Sequence, residues 1–236
     1  LLASTGQMDA ASMAEFMAGR PFVLSNLDAV AGAKIENLSN NVSVKSGGLL
    51  AFVAPTVQNA GTLMTAQLGK VVLASGKTVT VDLTGDGLIT LAADQLDTSL
   101  VENSGTIRAN GGTVIMTAGA AKNVVDSVVN MSGVVQANFV SNKNGKIVLG
   151  SSSTGKVNVT GTLEAKRDQN FSTGNAGTVE IDANDVNIAS SAIIDVRRSG
   201  TLATGNGGAI DINAQNRLTL AGELKFGGAG LGHGGR

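Results

Sequence analysis

The sequence predicts an all-β chain, a parallel β-helix of three-strand rungs. Three observations point there. First, the stretch from Gly177 to Asp195 is written again from Gly208, 31 residues later. In the first copy Thr178–Ile181, Val186–Ile188 and Ala192–Asp195 are short strand-forming runs; in the second they become Ala209–Ile212, Leu218–Leu220 and Gly222–Leu224. Second, two glycine anchors recur in fixed order. Gly69, Gly112, Gly145, Gly177 and Gly208 open an alternating apolar run. Gly61, Gly105, Gly133, Gly161 and Gly222, with Ala192 in the same slot, sit in a small-residue turn before a hydrophobic residue. Third, the composition suits many tight corners: 32 of 236 residues are Gly, and only Pro21 and Pro55 are prolines. Positive-φ corners favour glycine, and proline cannot donate to a ladder. A rung this small cannot bury its apolar face alone, so it must stack on its neighbours.

Taken in order, residues 1–22 are the non-repetitive part. Met8, Ala11, Met13, Ala14, Phe16 and Met17 predict a short helical excursion docked on the solenoid, with Asp9 or Ser12 as N-cap and Gly19 as its end. Strands follow over Ala33–Leu38, Val42–Val44, Gly47–Val53, Asn59–Leu63 and Gly69–Leu73. Val79–Leu83 alternates, and Gly87–Leu91 is read as opening a further rung, with Thr84–Gly87 as a plain tight turn. Asn103–Ile107, Gly112–Met116 and Gly145–Leu149 repeat the earlier anchors. The openers are 43, 33, 32 and 31 residues apart; the first interval is expected to hide the rung opened at Gly87. Strands ~4.8 Å apart then give roughly nine coils and a rod ~45 Å long. Neither end carries a cap signal, so both are expected to expose strand edges.

Several function classes recede on composition. Net charge is −1, which gives no nucleic-acid footprint, and the absence of Cys excludes disulfides and thiolate metal sites. The longest apolar run, Leu49 to Pro55, is far below the ~20 residues of a membrane helix, so no membrane insertion is expected. Gly232-His233-Gly234 has the look of a glycosidase motif, but no clustered aspartates accompany it and His233 is the single histidine. It is read as a turn. Asp182, Asp185, Asp195 and Asp211 recur at rung positions without the glycine-aspartate repeat of calcium-loaded rolls, and are read as solvated outward residues. No catalytic residue, metal or cofactor is expected.

Two features remain. Lys166-Arg167 and Arg197-Arg198 stand 11 and 10 residues before Gly177 and Gly208. Rungs stacked in register would bring these four cations to one side, as candidate glycan-binding loops for acidic chains, with Glu164, Asp168 and Asp195 near enough to neutralise them. Asn175 and Asn206, each after Thr-Gly (Thr173 and Thr204), share a register and are expected to form a structural amide ladder.

Some stretches carry a family resemblance. Leu1-Leu-Ala-Ser-Thr5, Phe16-Met-Ala-Gly-Arg20, Gly47-Gly-Leu-Leu-Ala-Phe-Val-Ala-Pro55, Val57-Gln-Asn-Ala-Gly61, Gly69-Lys-Val-Val-Leu-Ala-Ser-Gly76 and Asp82-Leu-Thr-Gly-Asp-Gly-Leu-Ile89 resemble filamentous-haemagglutinin-like exoproteins of Gram-negative two-partner secretion systems. The resemblance implies a right-handed helix. It places the back part of a haemagglutination-activity-like secretion domain over 1–140 and β-helical shaft repeats over 141–236. The family's Asn-Pro-Asn-Gly type motif is missing; its place would precede Leu1, so the chain reads as an internal fragment.

The implied function is a secreted, surface-exposed adhesin or haemagglutinin shaft and not an enzyme. Its implied partners are an outer-membrane transporter and host or bacterial surface glycans. Two alternatives stay open: a carbohydrate-active β-helix enzyme whose active rungs lie elsewhere, and the stalk of a contact-dependent toxin.

Overall fold

The computed structural model describes residues 1–82, 89–92, 99–119, 127–140, 143–167, 174–200, 205–230 and 232–236. The Thr84–Gly87 turn, Asp168, Thr173 and Thr204 lie outside them.

The chain winds as a parallel β-helix with three faces. The first holds Leu2–Ser4, Leu49–Val53, Lys70–Ser75, Thr113–Ala118 and Lys146–Ser151, then the first halves of Thr178–Ile188 and Ala209–Leu220. The second holds Lys34–Asn37, Thr56–Asn59, Ser99–Asn103, Ser127–Met131 and Lys156–Val159, then the second halves of the same two long strands. Those long strands turn the corner through a register shift between Ala183 and Asp185. The third face runs Val42–Val44, Thr62–Thr65, Thr106–Arg108, Val134–Gln136, Thr162–Glu164, Ile193–Asp195 and Glu223–Lys225. Neighbours on each face pair in parallel, as in Thr113–Ala118 on Lys70–Ser75 and Lys146–Ser151.

Period-2 alternation sends every second side chain inward. Leu50, Phe52, Val71, Leu73, Val114, Met116, Ile147 and Leu149 fill the core from the first face; Val57, Val101, Val129 and Val157 meet them from the second, and Leu63, Ile107, Val135 and Leu163 from the third. Full burial of one such side chain stabilises by roughly 1.5–3 kcal/mol, so the stacked columns supply most of the driving force.

The anchor glycines are required by crowding rather than by dihedral angle. None of the five openers lies in the left-handed region. A Cβ on Gly112 would collide with the Gly69 carbonyl oxygen, and one on Gly105 with that of Gly61. Positive φ is found at other glycines, among them Gly47, Gly111 and Gly174.

The count of coils is also corrected. Each face carries seven strands among the described residues, where spacing suggested roughly nine coils. Gly69 and Gly112 open adjacent rungs, because Lys70–Ser75 pairs directly with Thr113–Ala118. Between those two rungs, Thr78–Val81 and Ile89–Ala92 belong to none of the three faces. Thr78–Val81 pairs antiparallel with both Ile89–Ala92 and Phe22–Leu24, forming a three-stranded sheet outside the solenoid.

That sheet buries a second core, in which Phe22, Leu24, Leu27, Val79 and Val81 pack on the outward residues Ala51, Val53, Val72 and Ala74 of the first face. It explains why Leu49–Val53 is apolar at both parities: the strand is covered on both sides. The predicted helix forms over Ala10–Met17, capped by Asp9, whose carboxylate accepts from the Ser12 N–H at 2.7 Å. Gly19 follows it at φ +68. Phe16 meets Phe22 edge to face, 5.2 Å between centroids, and ties the helix to the outer sheet.

Candidate functional site

The four predicted cations lie where the third face ends and the chain turns toward the first. Register fixes their neighbours. Arg108, Gln136, Glu164, Asp195 and Lys225 occupy one column, rung over rung. The next residue of each rung points inward, as Ala109, Ala137, Ala165 and Val196, all buried. Then come Asn110, Asn138, Lys166 and Arg197, and after them Gly111, Phe139, Arg167 and Arg198.

Arg167 and Arg198 are stacked on neighbouring rungs, joined by a parallel bridge. Both are buried, 3% and 2% exposed. Below them the ring of Phe139 receives the Arg167 guanidinium, 3.4 Å from the ring centroid. Burial, and then the charge of Arg198, lowers the pKa of Arg167 from its ordinary value. Gly174 and Gly205 leave room beside the two guanidinium groups, since a Cβ at either position would press on them.

Lys166 and Arg197 take the opposite side, and each meets a carboxylate. Lys166 Nζ lies 3.1 Å from Glu164 Oε1. Arg197 holds Asp195 in a two-point grip, Nε to Oδ1 at 2.9 Å and Nη2 to Oδ2 at 2.7 Å. Sequence spacing therefore brings all four residues together, and the fold divides them into a buried pair and a surface pair.

Asp195 is buried, against the expectation of a solvated outward residue. A neighbouring column gives the reason. Asn110 Oδ1 accepts from the Asn138 N–H at 3.1 Å, and Asn138 Oδ1 accepts from the Lys166 N–H at 3.0 Å. Lys166 has no acceptor to offer the next rung, and the Arg197 N–H turns to Asp195 Oδ1 at 3.0 Å. Burial alone would raise the Asp195 carboxyl. The hydrogen bonds from the Arg197 side chain and N–H, with the charges of Arg197 and Lys166, hold it below its ordinary value.

The polar column continues down the rod. Arg108 Nε donates to Gln136 Oε1 at 2.8 Å, and Gln136 Nε2 donates to Glu164 Oε2 at 2.9 Å. Sequence reading missed this chain and the Phe139 platform. A signal was present: Gln136-Ala-Asn-Phe139, Glu164-Ala-Lys-Arg167 and Asp195-Val-Arg-Arg198 are the same four-residue corner three times over.

Of the other acidic residues, Asp182 accepts from Asn213 Nδ2 at 3.2 Å and Asp185 from Asn216 Nδ2 at 2.8 Å; Asp182 and Asp211 are exposed. Among the described residues no three His, Cys, Asp or Glu side chains gather closely enough to hold a metal ion. The Asn175–Asn206 ladder forms through the backbone: Asn175 Oδ1 accepts from the Asn206 N–H at 3.0 Å, and Asn206 Oδ1 from the His233 N–H at 2.9 Å. No helix among the described residues is long and apolar enough to cross a membrane.

These features define a β-helical rod with an extra-helical lobe and a polar corner, and known proteins share its architecture. No protein-family model matches the chain. The HMW1 secretion domain from Haemophilus influenzae has the same fold, with a TM-score of 0.73 and 21% identity over 95% of this chain. A curated relative, the heme/hemopexin-binding protein of Haemophilus influenzae, is 40% identical over 80 residues, or 34% of this chain. The chain spans 57% of that structure and 8% of that relative. The likeness to two-partner exoproteins read from the rungs is borne out at the level of the fold and of this shared segment.

Proposed function

We propose that the chain is part of a secreted, surface-exposed exoprotein of a two-partner secretion system, a non-catalytic rod of the adhesin or haemagglutinin kind. The observation that carries this reading is the shared fold with a secretion domain over 95% of the chain. Its partner is an outer-membrane transporter. The division near residue 140 belongs to the same reading. The extra-helical sheet draws on Phe22–Leu24, Thr78–Val81 and Ile89–Ala92, whereas openers from Gly145 onward recur every 32 or 31 residues. The first part serves recognition during export, and the second serves reach.

The test is binding of the purified chain to the periplasmic part of the transporter encoded with it. Saturable binding is expected, and it should fail when the lobe is unseated by Phe22→Asp. A folded chain that shows no binding would sink the export reading.

A second role, contact with acidic glycans, falls to Lys166 and Arg197, the members of the basic cluster that are not buried. Its support is their shared side of the rod on adjacent rungs. Salt-sensitive retention on a sulfated-glycan column, lost in the double Ser variant at these two positions, is the expected result; unchanged retention would end this reading.

A further inference from the structure

A second set of buried polar groups lies away from that corner. Asn37, Asn59 and Asn103 end three successive strands of the second face in exact register, and all three are buried. Asn37 Nδ2 donates to Asn59 Oδ1 at 2.7 Å, and Asn59 Nδ2 donates to Asn103 Oδ1 at 2.7 Å. Asn37 Oδ1 accepts from the Ser39 N–H at 3.1 Å, which closes the first end. Asn103 Nδ2 reaches the Gly105 carbonyl and the Met131 sulfur, both at 3.4 Å. From there the column turns apolar, as Met131, Val159, Ile188 and Leu220.

The other groups in these rungs carry little information about which rung belongs beside which. The second inward position of the face is valine five times: Val57, Val101, Val129, Val157 and Val186. The following turn repeats its glycine at Gly61, Gly105, Gly133 and Gly161. The buried face fixes how each strand slides along its neighbour, but apolar rungs of like shape do not say which rung lies beside which. The ambiguity is greatest between the rungs of Asn59 and Asn103. The outer sheet intervenes there, so Ser99–Asn103 must find Thr56–Asn59 across 44 residues, while the rung of Ser127–Met131 competes for the same edge. In that skipped arrangement Asn59 would face the Met131 thioether, and its amide would lose a full partner in a dry core.

We propose that the Asn37–Asn59–Asn103 column is a register lock. It selects the correct rung at the point where the excursion separates neighbours, and it ends once rung spacing becomes regular. A buried asparagine sets register in coiled coils by the same physics, at a cost in stability.

Engineered cysteines read the register directly, since the chain has none of its own. Thr62, Thr106 and Val134 stack in one outward column. Neighbouring rungs place Cα atoms ~4.8 Å apart, within disulfide reach, whereas positions two rungs apart exceed the ~7 Å limit. In the otherwise native chain, Thr62→Cys with Thr106→Cys should cross-link on oxidation, and Thr62→Cys with Val134→Cys should not. In the Asn59→Met, Asn103→Met background the second pair should begin to cross-link while strand content by circular dichroism is kept. The outward Asn158→Val change, as a control, should leave both results unaltered.

Exclusive pairing of positions 62 and 106 in the double Met background would overturn the proposal. Loss of strand content in that background would overturn it as well. The amides would then be a requirement for folding rather than a choice between registers.

Discussion

The hydroxyls of Ser75 and Ser99 lie 2.6 Å apart, both fully buried, and close the mouth of the extra-helical excursion. Ser75 Oγ also bonds to the Pro55 carbonyl, so the place where the chain leaves the helix is pinned to the place where it returns. Either serine changed to Ala should lower stability by about 1–2 kcal/mol, because a buried hydrogen-bonding group loses its partner. The double variant should cost less than the sum, with a coupling near ~1 kcal/mol. Urea unfolding of the four proteins checks this, and strict additivity would contradict it.

Glycine is demanded by crowding at one position and is optional at another. Gly112→Ala drives a methyl into the Gly69 backbone and should cost about 2–4 kcal/mol, since two strands must part. At Gly150 the nearest atom to a new Cβ is Thr117 Oγ1 at 3.5 Å, an ordinary contact. Gly150→Ala should therefore stay within ~0.5 kcal/mol of the parent. Thermal denaturation of the two variants separates these cases.

Phe139 supports a buried cation. Phe139→Leu keeps most of the volume and removes the ring face, and should cost about 1–2 kcal/mol. Phe139→Ala should cost about 3–5 kcal/mol, because a cavity is added. Equal stability of the Leu variant and the parent would mean that the ring serves Arg167 only as packing.

Asp195 makes the polar corner sensitive to acid. Its folded pKa is depressed, so its contribution is present above the unfolded value, ~3.9, and fades as pH falls through the lower folded value. Stability measured between about pH 5 and pH 2 should fall more steeply for the parent than for Asp195→Asn. The variant should be less stable at neutral pH, where the Arg197 side chain has lost its charged partner.

Much of the fold could be read in advance because the Gly112 and Gly177 type openers record backbone crowding, which only glycine survives. The excursion could not. Val79–Val81 alternates in the same way whether its partners are parallel rungs or antiparallel neighbours, and the 43-residue interval fits an extra rung as well as an outer sheet. The basic corner was legible in its stacking but not in its polarity. Nothing in the pair Lys166-Arg167 says which side chain turns inward; that is decided by Phe139, one rung below. Asp195 was misplaced for a related reason, since its burial follows from the Arg197 N–H that Lys166 cannot satisfy.

The proposed function requires that this rod belong to an exoprotein exported through a dedicated outer-membrane barrel. The most direct test follows the full-length native protein in its own cells, with the gene for that barrel deleted and then restored. Loss of the protein from the cell surface and medium on deletion, with recovery on restoration, is the predicted result. Surface display that persists without the barrel would contradict it.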